Sequence, residues 1–249
     1  MAEAVMKMFD EFADTYSDHF SSRPSGRTYS FRKRLGLACE MTAHVSGRML
    51  DCATGTGEVT LALVRTGRFQ HASVIDISPR MLAAAQKMIL GRVGGINLDF
   101  HNNDVFAYDL PADAPKYQLI VCLGLIAHTG RIEELLAHLK TMLANDGAIL
   151  LQSSLDDHLG NRLVKALTAR KYAERFGYSV RYFRHRDIVR AAEATGLQVA
   201  DRRKFQVGIP FGDRIWARGN YAIETRFEPW ASHHGADALY VLTGSEASS

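Results

Sequence analysis

The chain has 249 residues, of which 30 are Lys or Arg and 27 Asp or Glu, giving a net charge of +3 and an isoelectric point near 8.8. With 47% hydrophobic residues it is long enough to bury a sizeable core in one domain, which excludes any need for a metal or disulfide staple. Its basic residues are scattered, so nucleic acid is not the expected partner, and no apolar run approaches membrane-spanning length. Cys39, Cys52 and Cys122 are far apart with no Cys-x-x-Cys spacing, and they read as reduced thiols of a cytoplasmic protein. Glu3, Lys7, Asp10 and Glu11 deny the N-terminus an apolar signal core.

Residues 1 to 20 place Val5, Met8, Phe9, Phe12, Ala13, Tyr16 and Phe20 at helical spacing, the pattern of an amphipathic helix. Ser21 to Gly26 is a loop by composition and a plausible hinge. Arg27 to His44 reads as a second helix, with Arg32, Lys33 and Arg34 on its basic front and Leu35, Leu37, Ala38 and Met41 behind. A short apolar run, Met49-Leu50, then reaches Asp51-Cys52-Ala53-Thr54-Gly55-Thr56-Gly57, after which Glu58 to Val64 resumes at helical spacing. Strand, glycine loop and helix in that order bring main chain close to a ligand and leave helix-start N–H groups facing it. Spacing separates the possible ligands. A dinucleotide fingerprint wants a small residue three places after its second glycine, where either register here offers Thr60 or Glu58.

Asp51 to Gly57 resembles the first motif of class I S-adenosylmethionine-dependent methyltransferases, (Asp/Glu)-x-Gly-x-Gly-x-Gly, with Ala53 in place of the first glycine. The resemblance extends in element order from about Phe9 to Gly244 and implies an α/β fold. That fold is a single Rossmann-like doubly wound sheet of seven strands in the order 3-2-1-4-5-7-6, strand 7 antiparallel, with N-terminal helices and aromatic insertions. It also implies a helical lid over residues 1–45, with Tyr16 closing over the cofactor and Tyr29 near its mouth. Residues 154–185 and 208–235 would be insertions that cover the substrate, all within one domain.

The next elements carry the other candidate cofactor residues. His71 to Ile77 is a second strand ending at Asp76, nineteen residues past Gly57, where a carboxylate suits two vicinal ribose hydroxyls. Ser78-Pro79 opens the following helix, which Asp76 could instead merely cap. Ile77 and Met81 would flank an adenine. Ile96 to His101 is a third strand, and the resemblance gives Asp104 and the Val105 amide to the adenine edge, though Asp104 also fits an ordinary turn. Asp51, Asp76 and Asp104 thus each end a successive strand, the edge at which open α/β sheets bind ligands. Tyr117 to Leu123 is an almost wholly apolar fourth strand, so Leu123 borders the same edge.

Gly124 to His128 follows, and in the family this segment passes beneath the methyl group. His128 is therefore the candidate for taking a proton from the acceptor or holding it in line; a cap on the helix near Arg131 is the alternative. Arg131 to Leu143 is an amphipathic helix closed by Asn145-Asp146-Gly147, before a fifth strand from Ala148 to Ser153. The resemblance implies that a metal-dependent branch of the family would place magnesium ligands near Asp156, Asp157 and His158, but Gly124 and Leu125 stand where that branch has its matching acidic ligand, and His233-His234 lacks partners, so no metal is expected.

Helices over 159–177 and 184–195 follow, with a sixth strand over 197–207 and a seventh over 238–243. Tyr172, Tyr182, His185, Phe211 and Trp216, with Tyr29 and His128, are the candidate substrate contacts. The aromatics of 208–235 suit a substrate wall or a homodimer surface equally. The expected activity is methyl transfer from S-adenosyl-L-methionine to an oxygen or nitrogen of a small, partly apolar and cyclic acceptor. A non-catalytic S-adenosylmethionine-binding module and an RNA methyltransferase are the alternatives, and no membrane partner is expected.

Overall fold

A computed structural model describes residues 2–16 and 23–245. Phe20, the start of the Ser21 to Gly26 loop and the last four residues lie outside the described residues. Seven strands form one sheet in the order β3-β2-β1-β4-β5-β7-β6. They are β1 (Gly47–Cys52), β2 (Phe69–Asp76), β3 (Asn97–Asn102), β4 (Tyr117–Cys122), β5 (Leu143–Ser154), β6 (Leu197–Phe205) and β7 (Asp237–Gly244). All neighbours pair in parallel except β7, which runs antiparallel to both β5 and β6. The reversal of strand order beside β1 leaves a crevice at the carboxyl ends of β1 and β4.

Because side chains alternate across a strand, each strand feeds two cores. On one face Met49, Leu119, Val121, Leu150 and Val241 pack against α2 (Gly26–Met41) and α3 (Glu58–Val64). On the other face Leu50, Cys52, Ile120, Cys122, Leu151 and Tyr240 meet the leucine stripe Leu135, Leu136 and Leu139 of α6 (Ile132–Met142). Ile188, Ala191 and Ala192 of α8 (His185–Ala194) complete that layer. This double burial explains why the central strands read as continuous apolar runs. Around the sheet lie α1 (Ala2–Phe12), α4 (Pro79–Leu90), α5 (Leu125–Thr129), α7 (Leu159–Phe176), α9 (Gly212–Arg226) and α10 (Glu228–His234). Pro79 occupies the first turn of α4 and the Ser78 hydroxyl caps it, accepting from the Met81 N–H at 3.1 Å.

Three local expectations are revised. The Asn145-Asp146-Gly147 turn is drawn into β5, which begins at Leu143 and absorbs it through a register shift between Tyr117 and Leu119. His128 lies inside the short helix α5, bounded by Gly124 (φ 84) and Gly130 (φ 67), so it does not cap the next helix. The aromatic segment after β6 folds as α9 and α10, with α9 broken at Trp216 (φ −157, ψ 80).

Candidate active site

The glycine loop between β1 and α3 turns through three left-handed residues, Ala53 (φ 58), Gly55 (φ 60) and Gly57 (φ 85). Gly57 is required twice over. A Cβ there would lie 2.9 Å from the Ala85 Cβ and 3.0 Å from its Cα, so glycine sets how closely α3 approaches α4. A Cβ on Gly55 would meet only the Tyr16 ring, at 3.7 Å, which places Tyr16 against the loop. Ala53 keeps a left-handed backbone with a Cβ attached, at a cost of roughly 1–2 kcal/mol. Ala53→Gly is therefore expected to raise stability by up to about 1 kcal/mol after the added flexibility of the unfolded chain is subtracted, measured by thermal melting.

Asp51 braces this loop from below. One of its carboxylate oxygens accepts from the Thr54 hydroxyl at 3.0 Å and from the Thr60 hydroxyl. It is buried, which pushes its carboxyl up to about 6. Asp51, expected among the donor contacts, shares the strand face of Met49, the one covered by α2 and α3, while Ala53 two residues on lines the hollow beyond the loop. Thr54 and Thr60 were not singled out in the sequence, and their hydroxyls are what turn that carboxylate inward.

Asp76 ends β2 at the mouth of the crevice. Its two carboxylate oxygens accept from the Gly55 N–H at 2.8 Å and the Ser78 N–H at 2.9 Å, so both edges of the group are fixed. Each oxygen keeps a lone pair for a further donor. Burial raises this carboxyl to about 6 against the pull of those two N–H groups. Asn102, also unremarked in the sequence, donates to the Asp76 and Ile77 carbonyls at 2.9 and 3.0 Å and ties the end of β2 to β3. Ala53, Asp76, Ile77, Asp104, Val105 and His128 line one largely apolar hollow, whose roof includes Ala2 and Val5 of α1. Asp104 also accepts from the Phe106 N–H at 3.1 Å, so both the turn reading and the hollow-lining reading describe it. Helix α1 is held there through Asp10, which accepts from the Ser78 hydroxyl, and through an Asp14 pair with Arg80.

A methyltransferase-domain family profile matches residues 25–201, which span most of the chain, the glycine loop and the strand ends that bound the hollow. The chain belongs to the methyltransferase-domain family. Its sheet is that of the class I S-adenosylmethionine-dependent methyltransferases, with the strand order and the antiparallel seventh strand anticipated from Asp51 to Gly57. Over 105 residues the chain is 33% identical to the ubiquinone/menaquinone biosynthesis C-methyltransferase UbiE of Rhizobium meliloti (strain 1021). That match covers 42% of this chain and 40% of the relative's length. Among solved structures, magnesium protoporphyrin IX methyltransferase (ChlM) from Synechocystis PCC 6803 with bound SAH is similar with a TM-score of 0.69 and 14% identity, covering 98% of this chain and 99% of that one. The N-methyltransferase NodS of Bradyrhizobium japonicum WM9 is similar with a TM-score of 0.54 and 15% identity, over 86% of this chain and 96% of that one.

The remaining candidate residues do not form one surface. Met81 is fully buried on the inner face of α4. Leu123 packs against the core on the α2 face. Tyr172 donates to the Met8 sulfur at 2.9 Å, beside α1. Tyr182 lies under the Lys165 ammonium at 5.8 Å, and His185 stacks on Tyr240 at 5.8 Å. Tyr29 stands in a separate hollow with Lys33 and Glu228. Phe211 is the left-handed residue before α9, and Trp216 is 67% exposed.

A second polar group escaped the sequence reading. Asp51 on β1 pairs in register with Val121, Val121 with Leu150, and Gln152 and Asp237 lie further along the same face. Arg34 of α2 reaches down to this row and donates to Gln152 at 3.3 Å. It draws the carboxyls of both Asp51 and Asp237 downward, while burial holds Asp237 up at about 6. The signal available was a charged residue opening the apolar run of β7.

Proposed function

We propose that this protein moves a methyl group from S-adenosyl-L-methionine to a small acceptor by in-line displacement. The observation that carries the reading is the Asp76 carboxylate, fixed by the Gly55 and Ser78 N–H groups with lone pairs left for a ribose diol. The adenine then lies between Ile77 and Val105, with Asp104 at its edge, and α1 with Tyr16 forms the lid. The likeness in fold to a ChlM structure named with bound SAH supports S-adenosylmethionine as the donor. The sulfonium end passes over the glycine loop toward the carboxyl end of β4, where Leu123 and Gly124 stand.

The acceptor takes the far side of that end, beneath α2. The row of Asp51 runs through Val121 and Leu150 to Val241, and Asp237 stands four residues further along β7, at the carboxyl edge of the sheet, where the acceptor would lie. In the reaction the nucleophile's lone pair forms the new bond to carbon, and the carbon–sulfur pair returns to sulfur. The protein's part is to hold the partners in line and exclude water. An O–H or N–H nucleophile must also lose a proton, and Asp237, with its carboxyl held up at about 6, can accept it at neutral pH.

His128 has a different part. Burial lowers its imidazole to about 4, so it is neutral at physiological pH and a weak base. Its Nδ1 is 2.9 Å from the Tyr178 hydroxyl, and the Phe9 ring stands edge-on at 5.0 Å. It positions the wall of the donor hollow under α1. A ring-nitrogen NMR titration is expected to show His128 neutral down to about pH 4; a midpoint near 6.5 would return it to the role of proton acceptor.

The reading as a whole is tested by calorimetry with S-adenosylhomocysteine, followed by a labelled-methyl screen of small cyclic alcohols, phenols and amines. Binding and turnover of one such class are expected, and the absence of binding would remove the reading. UbiE is named a C-methyltransferase and NodS an N-methyltransferase, so the fold leaves the accepting atom to the screen.

A further inference from the structure

Helix α7 contains no fully buried residue along its 18 positions. Its apolar contacts are made by Tyr172 and Phe176 at the α1 end. Leu159, Leu163 and Leu167, four residues apart, instead face outward, and Leu159 is 77% exposed. They share that outward stripe with Arg162, Ala166 and Arg170, and Lys171 and Arg175 flank it. The helix has five basic residues (Arg162, Lys165, Arg170, Lys171, Arg175) and one acid, Glu174, which pairs with Arg170. A merely solvated face has no reason to present three leucines among cations.

The neighbouring helices repeat the pattern. Ile215 is 83% exposed and Trp216 67%, and Phe227 and Trp230 are exposed as well, interleaved with Arg214, Arg218 and Arg226. The acids of α9 are committed elsewhere. Asp213 accepts from the Gly26 and Arg27 N–H groups, and buried Glu224 accepts from those of Val207 and Gly208. Leu159 and Trp230 line one hollow, so α7 and α10 share a rim.

We propose that this rim docks on an anionic lipid surface, with the leucines and tryptophans entering the headgroup boundary and the arginines and lysines meeting lipid phosphates and carboxylates. Charge selects this occupant. A second copy placed face to face would set one cationic α7 against another, whereas an anionic bilayer matches both the charge and the apolar tips. No helix among the described residues is long and apolar enough to cross a membrane, so the contact is peripheral. The expectation of no membrane partner is thereby narrowed to no spanning helix. The proposal stands apart from the proposed methyl transfer, since neither α7 leucine contacts nor Trp216 belong to the donor hollow.

The test is co-sedimentation of the full chain with vesicles of phosphatidylcholine containing phosphatidylserine, against vesicles of phosphatidylcholine alone. Binding to the anionic vesicles only, weakened by added salt, is expected. Leu163→Glu with Leu167→Glu, and separately Trp216→Ser, should lower the partition coefficient by about tenfold or more while leaving the melting temperature unchanged. Equal binding by these variants, no binding by the unaltered chain, or a dimer in sedimentation that the Leu163→Glu, Leu167→Glu chain loses would each overturn the proposal, the last in favour of a second copy.

Discussion

Asp76→Ala is expected to weaken binding of S-adenosylhomocysteine by about a hundredfold or more in calorimetry. Two charge-assisted hydrogen bonds to a ribose are lost, at roughly 1.5–3 kcal/mol each. The Gly55 and Ser78 N–H groups, now aimed at the Asp76 carboxylate, also lose their common acceptor. A pH dependence follows from the same group. The Asp76 carboxyl is raised to about 6 by burial, so it is ionised at pH 7.5 and increasingly protonated below about pH 6, where donor affinity should fall. In the ligand-free protein the sign is the reverse. A carboxyl raised from 3.8 contributes stability that is full below the unfolded value and is lost as pH rises through about 6. Tight binding by Asp76→Ala at neutral pH would show that the ribose is held elsewhere.

The second large effect separates two glycines of one loop. Gly57→Ala must place a Cβ into Ala85 in a left-handed backbone, which costs roughly 1–2 kcal/mol for the conformation and about 1–3 kcal/mol for the overlap. For a chain of this length that corresponds to a fall in melting temperature of roughly 5–15 °C. Gly55→Ala carries only the conformational cost, since its Cβ would meet nothing closer than Tyr16 at 3.7 Å. It should melt only a few degrees lower yet bind donor poorly, because the added methyl enters the space the ligand needs. Equal melting losses in the two variants would mean that α3 and α4 do not pack as described.

How far the residues disclosed this arrangement depends on the kind of constraint. The glycine loop and the central strands were legible because Gly55, Gly57 and the apolar runs of β1 and β4 each have one local physical reason to be there, whereas the sheet order came with the family resemblance that Asp51 to Gly57 carries. Asp76 was legible for the same reason, standing at the end of a strand and just before Ser78-Pro79. Asp51 was assigned to the correct strand end, but its hydrogen bonds from Thr54 and from Thr60, nine residues away, were not legible. Arg34, Gln152 and Asp237 come together only when α2 crosses β5 and β7, a contact no sequence spacing encodes. The aromatic segment after β6 suited a substrate wall or a homodimer surface equally, and in the fold it is two helices, broken at Trp216, with Ile215, Trp216, Phe227 and Trp230 exposed. Asn145-Asp146-Gly147 has good turn chemistry, and pairing with β4 overrode it.

The most direct test of the central claim is a crystal structure of the protein with S-adenosylhomocysteine. Both ribose hydroxyls are expected within hydrogen-bond distance of the Asp76 carboxylate, with the adenine between Ile77 and Val105 and the sulfur above the glycine loop on the side of Gly124. A nucleoside seated outside the hollow between Ala53 and Asp104, or a ribose with no contact to Asp76, would contradict the account.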